Sequence, residues 1–269
     1  MTEARANRAT GKVRPARLTD LPALSELSRL CQSDGAKRGA TRFHVACADA
    51  DGNVELFMQA GFARYGDERI LFRSANQSLP KPMTDAAARD ARIRPTTALD
   101  SVALSRLYAT ATPQPVQRLE AYRLTDWERQ GSQWRVPRSS LAPILRFADT
   151  EAWVQEAPGG GADGTQLEGF VQVGVAKEDQ PHYLKVLVCP GVDASPLVRY
   201  GLGVIAARTQ RGSDHRHDHG VIAPVRTYES PVDRRLEDFG FAPIATVTLL
   251  IKETMVRVAE PALVPAGVR

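Results

Sequence analysis

Residues 236–253 read LEDFGFAPIATVTLLIKE, and residues 57–74, far upstream, read FMQAGFARYGDERILFRS. Each stretch predicts a helix end, then Gly-Phe-Ala, then a strand that finishes in an apolar pair and a basic residue. Gly61 and Gly240 stand where a helix that turns into a strand needs a residue tolerant of positive φ. The two stretches therefore predict one structural unit that occurs twice in the chain.

A second pair of matching stretches opens the two units. Residues 13–27, VRPARLTDLPALSEL, align without a gap with residues 93–107, IRPTTALDSVALSRL. Each stretch predicts a short strand, a proline-containing loop, an N-capping aspartate (Asp20 or Asp100) and an amphipathic helix. The first unit is shorter by about 100 residues, which are missing from its middle.

This repeat predicts how the chain is organised. The expected parts are a tail (1–12), a truncated unit (13–74), a polar linker with two prolines (75–91), a full-length unit (92–258) and a second tail (259–269). We expect residues 13–32 and 42–73 to pack together as one partial α/β unit, with the Val13 strand beside the strands around Val45 and Ile70. Its expected role is structural, covering an edge or a face of the full-length unit.

Composition excludes several classes of protein. The chain has 269 residues, 43% hydrophobic and 25% charged, which is typical of a soluble globular protein of one or two domains. It lacks an apolar run of 18 residues, so we expect no membrane partner. Three widely spaced cysteines favour a reducing cytoplasm over a disulfide framework. The basic residues are dispersed, which predicts no nucleic-acid partner. A homo-oligomer remains open.

The full-length unit predicts an α/β fold with a mixed sheet. The expected elements are a strand near 93, helices at 99–111 and 115–130, strands at 144–157, 166–178 and 182–190, a helix at 195–211, a strand at 220–228, a helix at 230–240 and a last strand from 242. Their order is β-α-α-β-β-β-α-β-α-β. The dense β-branched run at 182–190 is the best candidate for a central buried strand.

Three stretches carry a resemblance to a known family: IRPTTALDSVALSRLY (93–108), LKVLVCP followed by a helix (184–190) and RRLEDFGFAPI (234–244). With them, the full-length unit resembles the GNAT superfamily of acetyl-CoA-dependent N-acyltransferases. The truncated unit resembles the opening and the ending of the same fold, so the whole looks like a tandem arrangement with a shortened first copy. The resemblance implies transfer of an acetyl group from acetyl-CoA to a small-molecule amine by direct attack. The alternative is a non-catalytic GNAT-like protein that binds a ligand or a partner.

The resemblance also implies a place for acetyl-CoA. The pantetheine arm would pair with the backbone of Leu187 and Val188, where that strand splays from the next one. The pyrophosphate would meet the helix N-terminus, at the N–H groups of Ser195, Leu197 and Val198, with Arg199 as the nearby cation.

The start of this helix is open to two interpretations. Either Gly201 and Gly203 form the family's glycine motif, or the helix begins at Ser195-Pro196 and contains both glycines. The Ser-Pro pair favours the second. Asp193 would then lie beside the anion site and repel a phosphate.

Candidate catalytic residues are fewer. The family's tyrosine acid corresponds to Leu236 and Phe57, which cannot deliver a proton, so Tyr228 is the candidate acid. Glu168 is the candidate base, with Glu151 as an alternative. His215, His217 and His219 could share one face of an extended segment, but a solvated loop is favoured, and we expect no bound metal.

Overall fold

The computed structural model of the protein describes residues 41–48, 52–127, 129–130, 133–134, 140–141, 145–159, 166–177, 180–211 and 219–253, with a few isolated positions between 22 and 35. The strand expected at Val13 lies outside the described residues, as do His215 and His217.

The described elements follow one another along the chain. The strands are β1 (Arg42–Ala48), β2 (Ala63–Arg73), β3 (Ile93–Pro95), β4 (Arg129–Gln130), β5 (Gln133–Trp134), β6 (Phe147–Glu156), β7 (Leu167–Ala176), β8 (His182–Val188), β9 (Val221–Arg226) and β10 (Ala242–Glu253). The helices are α1 (Asn53–Gln59), α2 (Asp85–Asp90), α3 (Ser101–Ala111), α4 (Gln114–Glu120), α5 (Ser195–Arg211) and α6 (Ser230–Asp238). Short 3-10 turns occupy Ala98–Asp100 and Leu124–Trp127.

Eight of these strands form one mixed sheet in the order β1-β10-β2-β9-β8-β7-β6-β3. Only β8 and β9 are parallel to each other. Every residue of β8 is buried, as expected for a central strand. Val186 faces a core built with α5 and α6, whereas Leu187 faces a core built with α3. Helices therefore cover both faces, and the predicted α/β fold with a mixed sheet is confirmed.

Two local expectations are wrong. The second helix ends at Glu120 rather than near residue 130, because Ala121 takes a left-handed conformation with φ 44°. Asp100 stands before α3, but its carboxylate does not cap that helix. It accepts hydrogen bonds from the Arg94 guanidinium and from the Thr97 backbone N–H, so it ties β3 to the turn before the helix.

The strands of the first segment are interleaved with those of the second. The Val13 strand, expected beside the strands around Val45 and Ile70, is outside the described residues, so that pairing stays a prediction. In the described sheet β10 lies between β1 and β2. Strand β2 lies inside the sheet, between β10 and β9, and does not merely cover its edge. Ile70 and Leu71 are buried on opposite faces of β2. Burial on both faces is typical of a strand inside a covered sheet rather than at its edge.

Strands β2 and β10 pair about a local twofold axis. Glu68 lies opposite Val247, its own counterpart 179 residues later in the repeat. Each strand has one residue that the register skips, Tyr65 on β2 and Ile244 on β10, and these two residues are also 179 positions apart. The register of β2 and β10 is therefore symmetric about the Glu68–Val247 pair.

The turns that lead into β2 and β10 are also equivalent. Gly61 and Gly240 both have φ 84°. In the first turn the Phe62 N–H donates to the Phe57 carbonyl at 3.0 Å, and in the second the Phe241 N–H donates to the Leu236 carbonyl at 3.1 Å. This is the Schellman pattern that a glycine after a helix permits.

The basic residue at the end of each strand caps the helix of the other repeat. Lys252 Nζ donates to the Ala60 carbonyl after α1 at 2.7 Å, and Arg73 Nε donates to the Phe239 carbonyl after α6 at 2.9 Å. Positive charge is favourable at a helix C-terminus, where carbonyls lack partners. The two repeats therefore exchange caps across the axis.

The segment between the repeats is docked on the second one. It contains α2, and Arg73 donates to its Gln77 and Ser78 carbonyls. It also crosses α5 at Gly203, where an added Cβ would lie 2.9 Å from the backbone of Pro82. None of the described helices is long and apolar enough to cross a membrane.

The exchanged caps predict unequal losses of stability. We expect Arg73→Met to lower the free energy of unfolding by about 3 kcal/mol, because three backbone carbonyls lose a charged donor. Lys252→Met should lower the free energy of unfolding by about 1.5 kcal/mol, because one backbone carbonyl loses a charged donor. Urea unfolding measures both. The exposed Arg199→Met serves as control and should change little; losses no larger than the control's would contradict the capping role.

Candidate functional site

Strands β8 and β9 separate soon after they begin. They pair only at His182 with Val221 and at Tyr183 with Ile222, although β8 continues to Val188 and β9 to Arg226. The expected splay is therefore confirmed. Beyond Tyr183, β9 no longer pairs with the facing edge of β8.

Five buried ionisable side chains fill the base of this splay. We call them the polar cluster: Glu68, Glu120, Lys185, Arg226 and Glu229. They come from β2, α4, β8, β9 and the turn before α6. Each is at most 9% exposed, so each needs a partner inside the protein.

Arg226 lies between two carboxylates of the polar cluster. Its Nε lies 3.2 Å from Glu68 Oε2, and its Nη2 lies 3.2 Å from Glu120 Oε1. Burial alone would lower the pKa of the guanidinium, but these two carboxylates raise it above its usual value. Arg226 is therefore a fixed positive charge.

Lys185 and Glu229 form the second ion pair of the polar cluster. Lys185 Nζ lies 2.8 Å from Glu229 Oε2 and also donates to the Pro224 carbonyl at 3.4 Å. Glu229 Oε2 accepts the Arg226 backbone N–H at 2.9 Å. This pair links β8 to the end of β9, where the backbones of the two strands no longer meet.

A small cavity of about 10 Å³ adjoins the cluster, room for about one water-sized group. Besides four cluster residues it is lined by Tyr108, Thr112, Leu187 and Tyr228. Burial raises the pKa of the Tyr228 hydroxyl, and the Glu229 carboxylate adds to the effect. Tyr228 therefore stays protonated at neutral pH and loses its proton less readily than an exposed tyrosine.

Glu120 has the most adjustable charge of the cavity. Its Oε2 accepts a hydrogen bond from the Tyr108 hydroxyl at 2.5 Å. Burial raises the pKa of the Glu120 carboxyl, and Arg226 only partly opposes this. A carboxyl with a raised pKa can exchange a proton nearer neutral pH than an exposed one.

The raised pKa of Glu120 predicts a pH-dependent stability. A folded-state pKa above the unfolded value gives stability that is complete below the unfolded pKa and is lost as pH rises through the folded one. Glu120→Gln removes this titration. We therefore expect the variant to gain stability relative to the wild type as pH increases from 4 to 8. Thermal unfolding across that range measures it, and a constant difference between the two proteins would contradict the assignment.

The outer end of the splay opens into a cleft of about 410 Å³ between the N-termini of α5 and α6. Asp193 occupies its floor: its Oδ1 accepts the Ser195 N–H at 3.1 Å and the Ser195 hydroxyl at 2.8 Å, and Arg235 Nε lies 2.9 Å away. Burial would raise the pKa of the Asp193 carboxyl, but the Ser195 and Arg235 contacts lower it overall. A carboxylate thus already sits at the expected anion position.

Few backbone donors remain at this helix N-terminus. Pro196 has no N–H, Ser195 donates to Asp193, and the Val198 N–H donates to the Ala194 carbonyl at 3.0 Å. The side chain of Leu197, another residue proposed to bind the pyrophosphate, is fully buried. Arg199 is exposed.

The helix register itself is as favoured from the sequence. Helix α5 begins at Ser195 and contains both glycines. A Cβ on Gly201 would lie 2.5 Å from the Leu184 side chain of β8. Gly201 and Gly203 therefore permit close packing of α5 rather than forming a phosphate loop.

The other predicted site residues are dispersed. Leu187 and Val188 lie on the splayed part of β8, and Tyr228 lines the cavity. Glu168 lies on β7 and pairs with Arg92 at 3.3 Å. The alternative base, Glu151, pairs with Arg208 of α5 at 2.6 Å. The site thus brings Tyr228 to the polar cluster, while the two glutamates have partners of their own.

Sequence reasoning missed all five residues of the polar cluster. Lys185 carried a usable signal, because a lysine inside the apolar run HYLKVLV must find a buried partner. Cys189, next to the end of β8, has a thiol pKa that burial and Glu168 raise, so the thiol is not activated. No group of three potential metal ligands occurs in the described ranges. The expectation for the histidine-rich loop stays a prediction.

Comparisons with known proteins find similar structures only. No family model matches the sequence, and no curated protein matches it significantly. A putative GNAT-family acetyltransferase from Novosphingobium aromaticivorans is 15% identical over 79% of this chain and 74% of its own, with a TM-score of 0.42. A GCN5-related N-acetyltransferase from Sphaerobacter thermophilus is 14% identical over 88% and 69%, with a TM-score of 0.47. A tandem GNAT protein from the clavulanic acid biosynthesis pathway is 12% identical over 89% and 71%, with a TM-score of 0.48. Similarity at this level says nothing about substrate or activity.

Proposed function

We propose that this protein is a GNAT-type N-acetyltransferase that transfers an acetyl group from acetyl-CoA to a small-molecule amine by direct attack. The observation that carries the proposal is the splay between the parallel strands β8 and β9, which pair at only two positions. This splay lies in a chain whose element order follows the family resemblance. An extended ligand arm can pair with an unpaired strand edge as an added strand does.

The residues at the splay fit a CoA-type ligand in part. The backbone of Leu187 and Val188 offers the strand edge. At the outer end, Arg234 lines the cleft and supplies positive charge for a phosphate. Asp193 opposes an anion there. We therefore expect weak binding, in the tens of micromolar or poorer.

Acetyl transfer from a thioester to an amine requires one group that donates a proton and one group that accepts a proton. Acetyl-CoA, when bound, supplies the activated acetyl group. Tyr228, which is protonated at neutral pH, would donate a proton to the departing sulfur. Glu168 remains the proposed acceptor of the proton that the amine loses. It lies near the open end of β8, where the Cys189 N–H donates to its carbonyl at 2.8 Å.

Asp193 provides the sharpest test of the binding site. We expect Asp193→Asn to tighten acetyl-CoA binding about tenfold, because a phosphate would no longer compete with a carboxylate. Asp238→Asn is the matched control: Asp238 pairs with the same Arg235 at 2.9 Å but does not bind the helix N-terminus. Calorimetry on the three proteins measures the effect. Equal affinities, or no binding at millimolar acetyl-CoA, would contradict the site.

A second candidate is a non-catalytic GNAT-like protein that binds a ligand or a partner. It is favoured by the internal carboxylate at the anion position and by the small size of the cavity. Release of free CoA thiol in the presence of amines distinguishes the two. Acetyl-CoA binding without thiol release, with wild type and Asp193→Asn alike, would favour the non-catalytic protein.

We also propose that residues 13–74 are a shortened first GNAT-like copy and residues 92–258 the full-length one, joined by 75–91. The symmetric pairing of β2 with β10 and the exchanged caps support this origin. A reducing, cytoplasmic location remains part of the proposal.

A further inference from the structure

We propose that Glu68, which the first segment contributes, is a positioning residue for the cavity: through Arg226 it sets how readily Glu120 loses its proton. This role does not depend on acetyl transfer, and it gives the first segment a part in the functional site of the second. Glu68 contacts Nε and Glu120 contacts Nη2 of the same guanidinium.

The position of Glu68 is fixed from three directions. It lies in the middle of β2, directly opposite Arg226 in the pairing of β2 with β9. Its Oε1 accepts the Ser140 N–H at 2.9 Å and the Ser140 hydroxyl at 2.5 Å, and its Oε2 faces Arg226 Nε. It is completely buried. Glu68 therefore has little freedom to turn away from Arg226.

Strand pairing does not need this charge. The equivalent residue in the other repeat is Val247, which lies opposite Glu68 on the local axis. A buried carboxylate is costly to desolvate, whereas an apolar side chain is not. The carboxylate of Glu68 is thus explained by its contact with Arg226 and not by the pairing of β2 with β10.

The charge of Arg226 is shared between its two carboxylates. The groups that interact with the Glu120 carboxylate are Arg226 of β9, Lys185 of β8, Glu229 of the turn before α6 and the hydroxyl of Tyr108 of α3. If Glu68 becomes neutral, Arg226 has one remaining carboxylate partner. Arg226 can then move closer to Glu120, and the shorter distance strengthens its attraction for the ionised carboxylate in the low-dielectric interior. The repulsion between the two nearby carboxylates is lost as well. Glu120 then becomes more acidic.

The test is the titration of Glu120 in the full-length chain, followed by carbon-13 NMR of labelled glutamate carboxyls and assigned with Glu120→Gln. We expect Glu68→Gln to move the Glu120 midpoint to lower pH. Glu253→Gln, which removes an exposed ion pair with Arg42, is the control and should leave the midpoint unchanged. An unchanged midpoint in Glu68→Gln would overturn the proposal.

A second variant, Ser140→Ala, is less disruptive to folding and is expected to shift the Glu120 midpoint in the opposite direction. Ser140→Ala removes the hydroxyl that donates to Glu68, so the Glu68 carboxylate should interact more strongly with Arg226. The Glu120 midpoint should then move to higher pH. A shift in the same direction as in Glu68→Gln would indicate general loosening of the cluster and would refute a role through Arg226.

Discussion

The antiparallel pairing of β2 with β10 is the constraint on which the rest of the protein depends. Its register places equivalent residues of the two repeats around one axis, with Glu68 opposite Val247. The same register brings Lys252 to the end of α1 and Arg73 to the end of α6. A one-residue slip would turn every side chain of β2 to the other face of the sheet. It would separate both caps from their helices and Glu68 from Arg226.

The splay between β8 and β9 follows from the other partners of these two strands. Strand β9 pairs with β2 over six positions but with β8 over only two. Its direction therefore follows β2, while β8 follows β7 on the other side. The two strands start together at His182 and Val221 and then diverge, and side chains fill the space between them. The Lys185–Glu229 ion pair bridges the gap that backbone hydrogen bonds leave.

Local elements were predictable from the sequence, and the neighbours of each strand were not. The Ser-Pro start of α5, the glycine turns at Gly61 and Gly240 and the buried run of β8 follow from short-range rules about caps and apolar patterns. Such patterns specify which face of a strand is buried but not which strand lies beside it. The interleaving of β1, β10 and β2 therefore could not be predicted from them. Nor could the polar cluster, whose members lie between residues 68 and 229 and meet only through that interleaving.

An ion pair lies at each end of the splay, and a ligand can displace the outer pair more easily than the inner one. At the inner end, Lys185 and Glu229 are buried, and separating them would leave a desolvated charge without a partner. At the outer end, Asp193 and Arg235 are both about half exposed, so water can replace each partner and the pair adds little to stability. A phosphate that carries more charge than one carboxylate can compete for the same donors there. The proposed ligand therefore has to be anchored at the outer end and can extend inward only as far as the buried Lys185–Glu229 pair allows.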